Sequence, residues 1–206
     1  MEGLPQARLN RSFGAVLIGA SAGGIEALTT ILPALPPSFP VPIVVVLHQH
    51  PGGGTSWPDY LGRQTGLPVV EAEDKLPLTA GTIYCAPAGY HLLLEHDGSC
   101  ALSVDEKVHY SRPSIDLLFA SAADAFGPAL IGVILTGANA DGAAGLAEIA
   151  ARGGIAVVQS LQSAAWPAMP AAALQAVPQA LVVTLPEIAK TLIALTTPSS
   201  KDLTDE

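Results

Sequence analysis

Short runs of consecutive apolar residues alternate along this chain with segments whose apolar residues recur at helical spacing. Continuous apolar runs are typical of strands that are buried on both faces of a parallel sheet. The pattern predicts strands at 15–18, 43–47, 68–71, 129–135, 155–159 and 180–184. It predicts helices at 23–32, 57–64, 114–126, 142–152, 168–176 and 186–195, the third with Ser114 as its N-cap. This alternation favours a parallel sheet covered by helices.

The stretch from 82 to 104 has a different pattern, because short apolar segments are separated there by turn residues. It predicts antiparallel hairpins built from strands at 82–85, 91–95 and 100–104. The predicted fold class is therefore α/β: a three-layer α/β/α, doubly wound, mostly parallel sheet with an antiparallel hairpin insertion. One domain is expected over 13–196, with an N-terminal tail at 1–12 and a disordered polar tail at 197–206.

Composition limits the possible classes of function. Hydrophobic residues make up 50% of the 206 and the mean hydropathy is +0.43, but no apolar run approaches the roughly 18 residues of a membrane-spanning helix. A formal net charge of −9 disfavours nucleic acid and anionic membranes as partners, because both require a basic face. Cys85 and Cys100 lack metal-site spacing, so buried reduced thiols, no metal and no cofactor are expected. These features favour a cytoplasmic protein without direct membrane insertion.

Reactive side chains follow three of the predicted strands. Ser21 lies in a turn of small residues after the first strand, His48 follows the second, and Asp141 follows the strand at 129–135. The carboxyl ends of parallel strands meet at one edge of a sheet. A serine nucleophile needs a base, and that base is usually oriented by a carboxylate. The three residues together therefore favour a catalytic triad.

Each of these residues also has a structural explanation. Ser21 stands beside the free amides of a helix N-terminus, where it could bind phosphate or cap the helix. His48 could close a strand end, and Asp141 could cap the helix that follows it. Dinucleotide binding is disfavoured, because Ser21 replaces the second glycine of G-x-G-x-x-G and no acidic residue follows about 20 positions later.

Several separate motifs together resemble one known family. They lie at 19–24, 48, 72–74, 112–119, 133–137 and 141–142. In order and spacing they resemble the catalytic domain of the bacterial chemotaxis protein-glutamate methylesterase, CheB, from about residue 13 to 195. The resemblance implies a serine hydrolase that demethylates glutamyl γ-methyl esters on the cytoplasmic helices of chemoreceptors, releasing methanol. It also implies that receptor glutamines can be deamidated.

The resemblance further implies a role for each matching residue. Ser21 would be the nucleophile, His48 the general base and Asp141 the carboxylate that orients the base. The backbone amides at Ala22 and Ala138 would form the oxyanion hole.

Arg112 lies in the shared motif just before a predicted helix. It could hold a substrate carboxylate or the acidic receptor surface, since its guanidinium binds carboxylates through two parallel hydrogen bonds. Local pairing with Asp116 is the structural alternative.

Three departures from the family pattern bear on activity. Ala22 replaces a threonine of some relatives, so that position offers no hydroxyl to an oxyanion. The segment 48–54 differs from the usual sequence and carries a second imidazole, His50, although His48 occupies the motif position. The N-terminal receiver domain that is common in the family is expected to be lacking. The alternative function is therefore a catalytically weak or idle module that binds receptors or partners through the same cleft.

Overall fold

The computed structural model describes residues 13–48 and 57–197, and nine strands lie within these ranges. They are β1 (Ala15–Ala20), β2 (Ile43–Leu47), β3 (Val69–Glu71), β4 (Ile83–Cys85), β5 (His91–Leu94), β6 (Cys100–Ser103), β7 (Leu130–Ile134), β8 (Ile155–Gln159) and β9 (Leu181–Val183). Seven of them form a parallel sheet in the order β3-β4-β2-β1-β7-β8-β9. The predicted tail at 1–12 and nearly all of the tail at 197–206 lie outside the described residues.

Helices cover both faces of this sheet. They are α1 (Gly24–Ile31), α2 (Trp57–Gly62), α3 (Ile115–Phe126), α4 (Ala143–Ala151), α5 (Ala168–Ala176) and α6 (Ile188–Thr196). Alternate residues of β1 serve two cores: Val16 and Ile18 pack with α1, α2 and α6, whereas Leu17 packs with α3, α4 and α5. The predicted three-layer α/β/α fold is confirmed. None of the helices in the described ranges is long and apolar enough to cross a membrane.

The structure corrects the prediction for the segment 82–85. The pattern predicts an antiparallel hairpin there, but Ile83–Cys85 pairs in parallel with β2 on one side and β3 on the other. All three residues are buried, as in other interior strands of a parallel sheet. The antiparallel insertion is confirmed for β5 and β6, which pair from His91 opposite Ser103 to Leu94 opposite Cys100.

The two cysteines are free and buried, as predicted. Cys85 lies in β4 and Cys100 begins β6. Burial raises the pKa of the Cys100 thiol to about 11, so this sulfur is a poor nucleophile at neutral pH.

The strand order places the carboxyl ends of β2, β1 and β7 side by side. β1 lies in the middle, with β2 on one side and β7 on the other. The chain leaves β1 towards β2 and later returns to β7, so adjacent connections run in opposite directions. Ligands bind at such switch points in open α/β sheets. Ser21, His48 and Asp141 follow these three strands.

Candidate active site

Ser21 lies in the tight turn between β1 and α1. Its amide donates to the carbonyl oxygen of Thr136 at 3.0 Å, which ties the turn to the end of β7. Two glycines permit this turn: Gly23 has a φ of +74°, and a Cβ on Gly24 would lie 2.5 Å from a methyl carbon of Leu47. Ser21 lines a cavity of about 510 Å³ at this edge of the sheet.

His48 follows β2 directly and lines the same cavity. Its Nε2 lies 2.8 Å from Oδ2 of Asp141. An ionised carboxylate only accepts hydrogen bonds, so Nε2 carries the shared proton, and Nδ1 of the neutral ring is the free acceptor. Nδ1 lies 3.5 Å from the Ser111 hydroxyl. Within the described residues no hydrogen bond joins Ser21 to His48.

The carboxylate of Asp141 is fully buried at the N-terminus of α3. It accepts hydrogen bonds from the Ser114 hydroxyl at 2.9 Å and from the amides of Ile115 and Asp116 at 2.8 and 3.0 Å. Burial acts to raise the pKa of Asp141, but the hydrogen bonds from His48 and the two amides outweigh it and hold that pKa below its usual value. The positive end of the α3 helix dipole also lowers the pKa of Asp141. Asp141 is therefore ionised at neutral pH.

Asp141 does not cap the helix that follows it, so that structural alternative is wrong. The N-cap of α4 is Gly142, which has a φ of +93° and makes no side-chain cap bond. Asp116 of α3 instead accepts from the amide of Gly145 in α4 at 2.8 Å. Burial, together with the nearby charge of Asp141, raises the pKa of Asp116 despite this bond. Asp141, in the loop before α4, thus binds the start of α3, and Asp116 of α3 binds α4.

The two predicted oxyanion positions face different cavities. Ala22 lines the cavity of Ser21, and its amide donates to no acceptor among the described residues. Ala138 lines a neighbouring, mostly apolar cavity of about 600 Å³ beside Trp166, and its amide also lacks an acceptor in the described ranges. The next residue, Asn139, lines the Ser21 cavity. A free backbone amide in the cavity that Ser21 lines, such as that of Ala22, is suited to bind an oxyanion.

Arg112 lines the cavity, and its guanidinium is partly bound within the protein, since Nε is buried without a hydrogen-bond partner among the described residues. Nη1 donates to the carbonyl oxygens of Val104 at 2.7 Å and Asp105 at 2.9 Å. Arg112 forms no ion pair within the described residues, and Asp116 instead lies 3.5 Å from His109. The predicted pairing of Arg112 with Asp116 is therefore wrong. Arg112 fixes the loop before α3.

His91 is a buried polar residue that the sequence pattern does not single out. Its Nδ1 accepts from the amide of Ser114 at 3.2 Å, and its Nε2 donates to the carbonyl oxygen of Glu106 at 3.0 Å. Ser114 is the N-cap of α3, as predicted, and its hydroxyl also holds Asp141. A histidine at the head of the apolar strand β5 is the signal that was available, since a buried imidazole needs hydrogen-bond partners.

His50 and the rest of the segment 49–56 lie outside the described residues. The preference for His48 over His50 as the base therefore depends on the contact of His48 with Asp141.

Comparison with known proteins points to one family. The CheB methylesterase family model matches residues 16–192. A Leptospira interrogans protein named for protein-glutamate methylesterase and protein-glutamine glutaminase activity is 45% identical over 184 residues, covering 89% of this chain and 95% of its own. The Myxococcus xanthus protein-glutamate methylesterase FrzG is 41% identical over 155 residues, which are 75% of this chain and 46% of FrzG. The crystal structure of the Thermotoga maritima CheB methylesterase catalytic domain matches with a TM-score of 0.85 and 34% identity, over 90% of this chain and 100% of that domain.

Proposed function

The chain belongs to the CheB methylesterase family, and we propose that it is a serine hydrolase acting on glutamyl γ-methyl esters in the cytoplasmic helices of chemoreceptors, releasing methanol. The name of the Leptospira interrogans relative supports deamidation of receptor glutamines as a second reaction of the same acyl-transfer chemistry. The observation that carries the proposal is the 2.8 Å contact between His48 and Asp141 beside the cavity that Ser21 lines.

In the proposed reaction, Nδ1 of His48 takes the proton of the Ser21 hydroxyl while Oγ attacks the ester carbonyl. The methoxy group leaves with that proton as methanol, and an acyl-enzyme remains on Ser21. Water, deprotonated by the same nitrogen, then releases the glutamate carboxylate and free Ser21. Asp141 accepts from Nε2 throughout and stabilises the imidazolium that forms in each step.

The choice of nitrogen follows from the ring contacts. In serine proteases Nε2 is the base and Nδ1 contacts the aspartate. Here Nε2 is taken by Asp141, so we assign the base to Nδ1. Nδ1 lies 3.5 Å from the Ser111 hydroxyl, and we expect its hydrogen bond with Ser21 to form when substrate binds, since catalytic hydrogen bonds often tighten only in the complex.

The oxyanion of the tetrahedral intermediate needs donors beside Ser21. We assign this role first to the free amide of Ala22, which lines the same cavity, and second to the amide of Ala138. The alanine side chain at 22 contributes no hydroxyl. Loss of one such donor costs roughly 100-fold in rate in other hydrolases, so the enzyme depends on its backbone amides.

A receptor substrate implies a cytoplasmic reaction with a protein as partner. The net charge of −9 agrees with this assignment, because it disfavours nucleic acid and anionic membrane surfaces. The rival function is a catalytically weak module that binds receptors through the same cleft, which the departures at Ala22 and 48–54 favour.

Methanol release from methylated receptor separates these two functions. We expect Ser21→Ala to lower the rate by about 10³-fold or more, because the covalent step is lost. Ser111→Ala is the matched control, since it removes the other hydroxyl near His48, and it is expected to cost less than about tenfold. A fluorophosphonate should label the wild type and Ser111→Ala but neither Ser21→Ala nor His48→Ala. Equal methanol release by wild type and Ser21→Ala would exclude the serine hydrolase.

A further inference from the structure

The cavity around Ser21 differs in charge from the chain as a whole. The sequence has 18 acidic and 9 basic residues. Among the described residues that line the cavity, however, Lys107 and Arg112 carry charge and none is a carboxylate. A cationic cavity in an acidic protein is suited to an anionic part of the substrate. A methyl ester is neutral, so the cations serve some other group of the substrate.

Lys107 is the more exposed of these two cations. Arg112 is half-buried: its Nη1 donates to the carbonyl oxygens of Val104 and Asp105, while its Nε is buried without a partner among the described residues. Lys107 is exposed and forms no ion pair within the described ranges. Its ammonium group can therefore bind a carboxylate without first breaking a contact inside the protein.

The backbone on both sides of Lys107 is held in place beside the catalytic groups. On one side, the carbonyl oxygen of Glu106 accepts from buried His91 at 3.0 Å. On the other, Val108 and Ser111 exchange two backbone hydrogen bonds of 3.2 and 2.8 Å. The Ser111 hydroxyl lies 3.5 Å from Nδ1 of His48, so this turn adjoins the proposed base. The backbone of Lys107 is thus held at the cavity rim.

We propose that Lys107 determines substrate specificity by binding a free carboxylate close to the esterified glutamate of the protein substrate. On a helix, residues three or four positions apart lie on one face with Cβ atoms about 5–6 Å apart. The preferred substrate is therefore a helical segment with a free Asp or Glu at that spacing from the ester. A neighbouring glutamate that is itself esterified or amidated makes a poorer substrate. The inference rests on the proposed function of Ser21.

Two helical peptides test this specificity. Each carries one glutamyl γ-methyl ester, and the residues four positions before and after it are Glu in one peptide and Ala in the other. Methanol release gives kcat/KM for each. For the wild type we expect the Glu peptide to be favoured roughly threefold at low salt, the size of one exposed ion pair, and less so at high salt.

Variants of two lysines identify the source of that preference. Lys107→Gln should bring the ratio close to one, and Lys107→Glu should reverse it. Lys190→Gln makes the same charge change on α6, outside the residues that line the cavity, and should keep the wild-type ratio. A wild-type ratio of one, or a ratio that Lys107→Gln leaves intact, would overturn the role of Lys107 while leaving the hydrolase in place. If the wild type cleaves neither peptide and no methylated receptor, the proposed function fails and this inference fails with it.

Discussion

At the scale of single residues, Asp141 contributes both to the stability of the protein and to its proposed chemistry. Its buried carboxylate accepts from His48, from the Ser114 hydroxyl and from two amides of α3. A carboxylate that is buried away from water stays ionised only where strong hydrogen-bond donors replace the water molecules. Because three of the four donors belong to one helix end, Asp141 is held in place independently of His48. It can therefore fix the imidazole.

We expect Asp141→Asn to lose both activity and stability. An amide presents N–H groups to a site built entirely of donors, so at least one buried donor loses its acceptor, at a cost of about 1–3 kcal/mol. The His48 tautomer is no longer fixed, and methanol release should fall by about 10³-fold or more, as for the equivalent exchange in serine proteases. Urea unfolding and methanol release measure the two effects. Asp124→Asn is the matched control, because Asp124 is exposed and pairs only at the surface with Arg152 and His96, and it should change neither quantity appreciably.

Because the pKa of Asp141 is lowered, the loss of stability in Asp141→Asn should depend on pH. A carboxyl whose pKa is lower in the folded state stabilises the protein above its unfolded value of about 3.9, and that stability disappears as the pH falls through the folded value. The difference in unfolding free energy between wild type and Asp141→Asn should therefore be largest above about pH 4 and shrink in stronger acid. A difference that stays constant across this range would contradict the ionised, hydrogen-bonded carboxylate.

The sequence predicts the residues at the strand ends but not the contacts that hold them. Ser21, His48 and Asp141 could be placed at one edge of the sheet because each follows an apolar strand in a parallel sheet. The family and enzyme class predicted from the motifs are confirmed by the family match and the named relatives. The hydroxyl of Ser114 on Asp141 could not be found in this way, because it joins loops 27 residues apart whose approach depends on packing.

At the scale of elements, the start of β5 supports the start of α3. His91 is fully buried and bridges the amide of Ser114 and the carbonyl oxygen of Glu106. One ring nitrogen therefore faces the N-cap that holds Asp141, and the other faces the loop that carries Lys107. The antiparallel insertion is thus a support for the cavity on two sides.

Two substitutions of His91 should separate these two supports. His91→Asn keeps an acceptor near the Ser114 amide but loses the donor to Glu106, so we expect mainly a higher KM for protein substrate. His91→Gln can keep the donor to Glu106 but leaves the Ser114 amide unpaired, so we expect mainly a lower kcat. Each variant leaves a buried group unsatisfied and should lose about 1–3 kcal/mol of stability. Steady-state methanol release resolves kcat from KM. Identical kinetic changes in both variants would show that His91 only contributes to packing.

At the scale of the whole molecule, the period of the apolar pattern explains what could be predicted. β2 and β8 begin and end at the predicted residues, because a strand buried on both faces is continuously apolar. For β4 the prediction of antiparallel pairing is wrong, because a three-residue apolar strand has no period that shows whether its partners are parallel or antiparallel. Strand pairing depends on how the whole sheet assembles, and the sequence of one short strand does not determine its partners.

The strand order of this sheet indicates which strand unfolds locally first. All six residues of β1 are buried, and β1 pairs on both sides, whereas β9 pairs only with β8 and leaves Val182 more than half exposed. Amides of β1 should therefore exchange hydrogen only on global unfolding, and those of β9 through local opening with a much smaller free energy. Hydrogen exchange followed by mass spectrometry measures both. Since Ser21 directly follows β1, activity in urea should persist until β1 exchanges, even after β9 has opened. Loss of activity together with the opening of β9 would show that the proposed site depends on the sheet edge and not on its central strands.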